Sequence, residues 1–301
     1  MFTISRRLVI AVTLATALIS APVLAQDLTG TLKKIKETGV ITLGHRESSM
    51  PFSYYDDKRQ VVGYSQDMML KAVDAIKAEL KLPKLEIKLV PVTSENRITL
   101  VQDGTVDLEC GSTTNTTERQ KQVSFSNSIF VVATRLMTKS SSGIKDFPDL
   151  AGKNVVTTAG TTSERLLRKM NEDNHMKMKI ISAKDHGDAF QTLESGRAGA
   201  FVMDEVLLYG EMASAKNPRE WTVVGTPQSY EAYACMMRKD DPAFKKVVDD
   251  ALAKVMTSGE AEKLYAKWFL QPIPSKGLTL NFALSYALKK LYKSPNDKAY
   301  E

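Results

Sequence analysis

From Cys110 to Arg119 the chain sets a run of hydroxyls (Ser112, Thr113, Thr114, Thr116, Thr117) ahead of a guanidinium, and Phe125 follows shortly after. Val106 to Glu109 just before it is β-rich, so these groups stand at the exit of an expected strand. That combination suits capture of a carboxylate. A guanidinium fork matches two carboxylate oxygens, and serine or threonine hydroxyls reach the remaining lone pairs. The alternative is a polar loop carrying a solvated Arg119.

Other residues of the same chemical kind lie elsewhere in the chain, each with a plainer reading beside it. Arg46 ends the first expected strand, where α/β proteins bind ligands, but a lone arginine there also pairs readily with Glu47. Ser94 suits the cap of a short helix. Arg97 falls in that helix's first turn, against the helix dipole, and a nearby anion would compensate it. Thr161 and Thr162 sit between a strand and a helix, where free amides bind anions and where simple capping is the alternative. His186 shares a loop with Asp185 and Asp188 and taken alone is an ordinary loop residue. Asp204 ends a strand and either caps the next helix or meets a cation. Phe52 and Tyr54 either cover a ligand's aliphatic part or fill a groove. Met68, Met69 and Met170 read as core filler. No phosphate-binding G-x-x-x-x-G-K-[ST] loop, H-E-x-x-H or G-x-S-x-G occurs.

The elements that must position these groups alternate. Val40 to His45 is an expected strand, Ser65 to about Lys81 a helix capped by Ser65, Glu86 to Val92 a half-buried strand, and Ser94 to Gly104 a short helix. Val106 to Glu109 closes this first unit, which implies a largely parallel sheet. The order then repeats. Asn154 to Thr158 is a strand, and Thr161-x-x-Glu164 is a capping box opening a helix to about Asn171. Met178 to Ser182 is a strand, a helix capped by Asp185 runs to Ser195, and Ala198 to Met203 is a strand. Tyr233 to Arg238 then leads to Pro242, in a helix's first turn, and to long helices over Lys246 to Thr257 and Ala261 to Phe269.

Several blocks carry a resemblance to the periplasmic amino-acid-binding proteins that serve ABC importers, and within them to the glutamate/aspartate-binding type. They are Gly44-His45-Arg46-Glu47-Ser48-Ser49, Pro51-Phe52-Ser53-Tyr54-Tyr55-Asp56, Val62-Gly63-Tyr64-Ser65-Gln66-Asp67, the Cys110 block, Ile180 to Asp188, and Thr192-Leu193-Glu194-Ser195-Gly196-Arg197. The Cys110 block resembles that family's "G-x-T-x-T-x-x-R" segment, except that Gly111 lies one residue early and Ser112 takes its place. The resemblance implies a two-lobed α/β fold of two Rossmann-like lobes joined by a two-segment hinge. It places residues 26–135 and 231–301 in lobe 1 and 136–230 in lobe 2, with the chain crossing near Thr134 to Met137 and Gln228 to Tyr233. By the same resemblance Arg46, Ser94, Arg97, Ser112 and His186 hold a side-chain carboxylate. Arg119, Thr114 and the Thr161-Thr162 turn hold the α-carboxylate, and Asp204 meets the α-ammonium. A protonated His186 would add a positive charge and tighten binding at mildly acidic pH.

The first residues read as a secretory signal. Arg6 and Arg7 precede an apolar stretch, Leu8 to Ile19, too short to span a bilayer, and Val23-Leu24-Ala25 offers a cleavage site after Ala25. Arg6-Arg7 gives only an incomplete twin-arginine pattern, so the general export route is expected, and no cysteine near Ala25 suggests a lipid anchor. No later stretch is long and apolar enough to cross a membrane. The formal charge is +6, or +4 without residues 1–25. Both signs are interspersed without a basic stripe, which argues against nucleic acid as a partner. Cys110 and Cys235 are the two cysteines. An even count in an exported chain favours a bridge over two buried thiols, and a topology that returns Cys235 to lobe 1 brings it to Cys110. No histidine near them suggests zinc.

The expectation is therefore a periplasmic, monomeric, cofactor-free binding protein that takes L-glutamate or L-aspartate between its lobes and delivers it to a membrane permease. Two alternatives share the fold: a dehydratase-like enzyme using His186 or Glu109 as acid or base, and a sensor module that reports ligand to a membrane receptor.

Overall fold

The structure, a computed structural model, describes residues 28–273 and 277–299. The expected signal segment and its cleavage site lie outside these residues. In chain order the elements begin with α1 (Gly30–Thr38), β1 (Val40–His45), β2 (Ser48–Ser49), β3 (Ser53–Tyr55), β4 (Val61–Val62) and α2 (Tyr64–Leu80). Next come β5 (Glu86–Pro91), α3 (Arg97–Gln102), β6 (Leu108–Glu109), α4 (Thr117–Gln120) and the long β7 (Val123–Lys139). A second series follows: β8 (Asn154–Thr158), α5 (Thr162–Asp173), β9 (Lys179–Ala183), α6 (His186–Glu194), β10 (Ala200–Asp204), α7 (Glu205–Ser214) and β11 (Trp221–Val224). The chain closes with β12 (Tyr230–Arg238), α8 (Pro242–Thr257), α9 (Glu260–Tyr265), which continues as a π-helical turn over Ala266–Leu270, and α10 (Tyr286–Lys293).

The main sheet runs β5-β1-β6-β12-β7-β10-β8-β9, with β11 also on β7. Its ends are parallel, as βαβ crossovers require. β1 pairs with β5 and β6 on one side, and β8 with β9 and β10 on the other. The two long strands in the middle run antiparallel to each other. β7 changes partners along its length. Val123 to Ala133 pairs with β12, and Thr134 to Thr138 pairs with β10. The exchange falls where Ala133 faces Tyr230 and Thr134 faces Asp204. Two α/β lobes thus share one sheet through β7 and β12, and the second lobe hangs from those two strands.

The largest core runs from the first lobe into the second, where it reaches Phe201, Val206 and Trp221. Met68, Met69, Val73, Ile76 and Leu80 of α2 are buried against Phe244, Val248 and Leu252 of α8. Phe52 sits in an aromatic cluster, with ring centroids 4.8 Å from Phe130, 5.0 Å from Tyr233 and 5.8 Å from Phe269. Tyr54 meets Trp268 edge-on. Both rings are engaged in packing within lobe 1. The second lobe has its own smaller core of Leu136, Phe147, Leu150, Val155, Leu167 and Val202, with Met170 packed on it.

Cys110 and Cys235 form a disulfide with Cα atoms 4.3 Å apart, tying the end of β6 to β12 within the first lobe. Two expected caps are not made. Ser65 lies inside α2, whose N-cap is Gly63, and its hydroxyl donates to the Gly111 carbonyl at 2.7 Å. Ser94 lies two residues ahead of the Asn96 cap of α3, and Thr93 and Asn96 bond each other at that turn. Two others are made: Thr161 Oγ1 accepts from the Glu164 amide, and Asp185 Oδ1 accepts from the Asp188 amide. Glu164 closes its box one residue early, on the Gly160 amide at 2.9 Å.

Candidate ligand-binding site

The site lies where the carboxyl ends of β1 and β6 face the carboxyl ends of β8 and β10 across the lobe junction. Arg46 follows β1 and is buried; its amide donates to Ser53 Oγ at 2.9 Å, which fixes the backbone. The two terminal nitrogens of its guanidinium are buried and have no hydrogen-bond partner among the described residues. The same is true of Ser94 Oγ, Arg97 Nε and His186 Nε2. Buried polar atoms are nearly always paired, so a group of them points to a ligand. Gly111 makes room for this arrangement. A Cβ there would stand 2.9 Å from Arg46 Cγ and 2.6 Å from Glu109 Oε1.

Arg97 is the first residue of α3 and is also buried. Its Nη1 donates to Thr113 Oγ1 at 2.5 Å and to the Ser112 carbonyl at 3.3 Å. Thr113 Oγ1 in turn donates a hydrogen bond to Glu109 Oε2 at 2.7 Å. Ser112 Oγ lies 3.4 Å from Ser49 Oγ, near the limit for a hydrogen bond. His186 opens α6 from the second lobe, with its Nδ1 2.8 Å from Thr158 Oγ1. Burial, then Arg46, then Arg97 push its imidazole well below the usual value. These effects favour the neutral imidazole over the protonated form that would add a positive charge. With Thr158 donating to Nδ1, the neutral ring carries its proton on Nε2 and still presents a donor.

The second group of residues surrounds Arg119, in the short α4. Its Nη1 donates to the Thr114 carbonyl at 2.9 Å and its Nη2 to the Gly160 carbonyl at 3.1 Å, so the guanidinium spans both lobes. Thr161 donates to the Thr158 carbonyl at 2.6 Å and caps α5. Thr162 turns its hydroxyl to Glu231 Oε2 at 2.8 Å, which leaves its backbone amide, in the first turn of α5, as its anion-binding group. Burial first, then Arg97 and Arg165, push the Arg119 guanidinium down to about 9. Burial and Arg97 push Arg46 down to about 10, and burial lowers Arg97 as well. All three stay charged at neutral pH, and the shifts express how much these cations gain from an anion beside them.

Asp204 ends β10. It occupies the N-cap position of α7, but its side chain makes no cap bond. Oδ1 accepts from Thr134 at 3.0 Å and from Ser163 at 3.2 Å, while Oδ2 accepts from Tyr233. Burial first, and then the Glu231 carboxylate, push it up to about 7. A cation at this carboxylate would relieve both effects. Thr114 and Tyr233 are joined by a β-bridge, which places the Asp204 partner beside the Arg119 group.

The ten residues singled out from sequence thus fall into three adjoining sets. Arg46, Ser94, Arg97, Ser112 and His186 form one, Thr114, Arg119, Thr161 and Thr162 a second, and Asp204 the third. The sequence reading passed over Gly160, whose carbonyl meets Arg119, and over Tyr233, Thr134 and Ser163, which hold Asp204. Gly160 adjoins the Thr161 cap, but nothing in its own type marks a contact. From sequence, Glu109 enters only as a candidate acid or base of the enzyme alternative. A hollow of about 540 Å³ between Thr116, Glu118, Thr162, Arg165 and Tyr230 lies at the outer rim of the Arg119 set. Another, of about 530 Å³ between Phe147, Met176 and Thr226, lies on the second lobe, away from all three sets. Among the described residues no cluster has metal-ligand character, and no helix is long and apolar enough to cross a membrane.

Known proteins are similar to this chain in sequence and in fold. The chain is 65% identical over 286 residues, 95% of either chain, to the L-glutamate/L-aspartate-binding protein of Pseudomonas aeruginosa. It is 60% identical over 291 residues, 97% of this chain and 96% of the other, to the glutamate/aspartate import solute-binding protein of Escherichia coli. Among solved structures, a crystallised variant of ArgBP from T. maritima matches with TM-score 0.71 and 26% identity, over 80% of this chain and 99% of that one. An ancestral amino-acid-binding protein, a precursor of cyclohexadienyl dehydratase, matches with TM-score 0.68 and 29% identity, over 79% and 99%. Residues 41–271 match one family throughout, and the chain belongs to the bacterial extracellular solute-binding proteins, family 3.

Proposed function

We propose that this protein captures L-glutamate or L-aspartate between its lobes outside the cytoplasm and delivers it to the permease of an ABC importer. The observation that carries the reading is the cluster of buried donors without partners: both Arg46 terminal nitrogens, Arg97 Nε, Ser94 Oγ and His186 Nε2. A side-chain carboxylate, with about four acceptor sites, would supply partners to this group. Arg119, Thr114 and the first-turn amides of α5 then take the α-carboxylate, and Asp204 takes the α-ammonium. The names of the relatives from P. aeruginosa and E. coli support the same ligands and the import role.

The second lobe spans 136–230 in this reading and moves about the partner exchange in β7 and β12. Its movement needs only a few hinge residues, and closure excludes water from each charged bond. The leader is removed after Ala25, and N-terminal sequencing of the exported protein should begin at Gln26. The dehydratase reading finds no support in the names of these relatives, which are binding proteins. Fold likeness to a dehydratase precursor does not supply it.

Glutamine tests the assignment. It nearly matches glutamate in shape but deprives Arg46 and Arg97 of the ligand's carboxylate, so it should bind more than about a hundredfold weaker. Calorimetric titration of ligand-stripped wild type and Arg97→Met with both amino acids reads this directly. The gap should shrink in Arg97→Met. Near-equal affinities in wild type would remove the acidic-amino-acid reading.

A further inference from the structure

Glu109 is a fully buried carboxylate that the binding scheme above leaves unused. It ends β6, registered against Gly44 of β1 and Met236 of β12. Two glycines shape the space around it. A Cβ on Gly44 would lie 3.1 Å from Glu109 Cγ, and a Cβ on Gly111 would lie 2.6 Å from Glu109 Oε1. One oxygen is held by Thr113, which in turn accepts from Arg97; the other is buried without a hydrogen-bond partner among the described residues. Its charge acts on Arg46, Arg97 and Arg119 together.

We propose that Glu109 is a specificity-determining counter-ion, built in beside Arg46 and Arg97 so that the distal subsite offers one net positive charge to the ligand's side chain. In that subsite Arg46 and Arg97 oppose Glu109, and one positive charge remains for the ligand's side-chain carboxylate. Glu231 is buried too, but it accepts from Thr162 and Ser229 and acts on Arg119 and Asp204, the groups set aside for the ligand's α-carboxylate and ammonium. The half-buried Asp185 acts on Arg46 less than Glu109 does. Without Glu109, a single side-chain carboxylate would leave one of the two buried guanidiniums uncompensated. Glu109 also repels the bound side-chain carboxylate, which holds affinity below what two unopposed guanidiniums would give.

This inference rests on the proposed glutamate/aspartate site, and its test separates the two. Glutamate and glutamine are titrated by calorimetry against wild type, Glu109→Gln and Glu109→Asp. Removing the fixed negative charge should widen the preference for glutamate over glutamine at least about tenfold. Glu109→Asp keeps the charge and should hold the wild-type ratio within about threefold. Glu109→Gln should also gain more in Tm from saturating glutamate than wild type does, because the ligand then supplies the missing anion. An unchanged or narrowed preference in Glu109→Gln overturns the proposal, since a residue that only positions Arg97 would narrow it. An equal change in Glu109→Asp, or a Glu109→Gln protein that stays unfolded in saturating glutamate, overturns it too. Failure of wild type to distinguish the two amino acids would instead sink the acidic-amino-acid reading itself.

Discussion

Asp204 and His186, both candidate site residues of the second lobe, are shifted in opposite senses. Asp204 is raised to about 7 from the usual 3.8 by burial and Glu231, whereas His186 is lowered by burial and two guanidiniums. A ligand ammonium needs Asp204 ionised, so glutamate binding should weaken as pH falls through about 7. The limit is about tenfold per pH unit once the carboxylate is protonated in the free protein. This is opposite in sense to the acid-side tightening that a protonated His186 would bring. For stability, the free folded protein holds a proton on Asp204 that the unfolded chain releases above 3.8. That contribution is present at low pH and is lost as pH rises from 3.8 through about 7. The ligand removes this loss, so the Tm gain on adding glutamate should grow between about pH 5 and pH 8. A gain that is flat with pH, or unaltered in Asp204→Asn, would refute the role of Asp204. At this scale the sequence was legible where residue type and position coincide, as for Arg46 at a strand's end. It was ambiguous for Ser94 and Asp204, because capping and ligand binding call for the same side chains at the same places.

Elements meet across the lobes at a few glycines. Gly160, just ahead of α5, has φ +72, and a Cβ there would lie 2.8 Å from the Glu95 backbone of the other lobe. Gly210 in α7 would place a Cβ 2.3 Å from the Met50 carbonyl, and the Gly187 amide donates to Ser48 Oγ at 3.3 Å. These contacts let backbone approach backbone, so the arginines of one lobe reach the amides and carbonyls of the other. Gly160→Ala should keep the lobes apart and weaken glutamate binding by at least about tenfold, beyond a left-handed strain of about 1–2 kcal/mol. Calorimetry with small-angle scattering would check it, and a variant that binds and compacts like wild type would show that closure tolerates the added carbon. Sequence reading found most strands and helices of the βαβ units because their periodicity is local. It missed most of β7, whose seventeen residues read differently in their two halves because they face different partners. It also missed α7, which follows Asp204 without a capping bond and is buried at Val206, Leu207, Leu208 and Gly210.

At the scale of the molecule, three ties join distant parts of the chain. The first is the disulfide, which closes a separation of 125 residues around the entire second lobe. Both cysteines sit in lobe 1, so reduction should lower stability by about 2–5 kcal/mol while leaving the glutamate-to-glutamine preference intact. Thermal melts with and without reductant, paired with titrations, read both quantities; a changed preference would mean that the bridge shapes the site. The second tie is the pair of crossing strands. The third is the chain beyond residue 271, past the end of the family match. Tyr265 donates its hydroxyl to the Phe282 carbonyl at 2.9 Å, and the Phe282 ring lies 5.9 Å from Tyr209 on α7 of the second lobe. Farther on, α10 returns to the first lobe, where Tyr292 and Tyr64 hydroxyls meet at 2.7 Å and the Ser128 amide donates to the Asn296 carbonyl at 2.8 Å.

Among its described residues this last segment holds the first lobe through α10, and meets the second at the Phe282–Tyr209 ring pair and where Leu278 to Leu280 line a hollow with Tyr209, Met212, Ala213 and Pro218. Contacts present only when the lobes are together add to ligand affinity, because binding and closure draw on the same equilibrium. An aromatic pair is worth about 0.5–1.5 kcal/mol beyond its buried area, so Tyr209→Ala should weaken glutamate binding about three- to tenfold. Tyr209 is only half-buried and lies away from the arginines, so the glutamate-to-glutamine ratio should not move. Titration of both amino acids against Tyr209→Ala separates the outcomes. Unchanged glutamate affinity would mean that the segment follows the second lobe as it opens, so that the ring pair contributes equally to both states and nothing to binding.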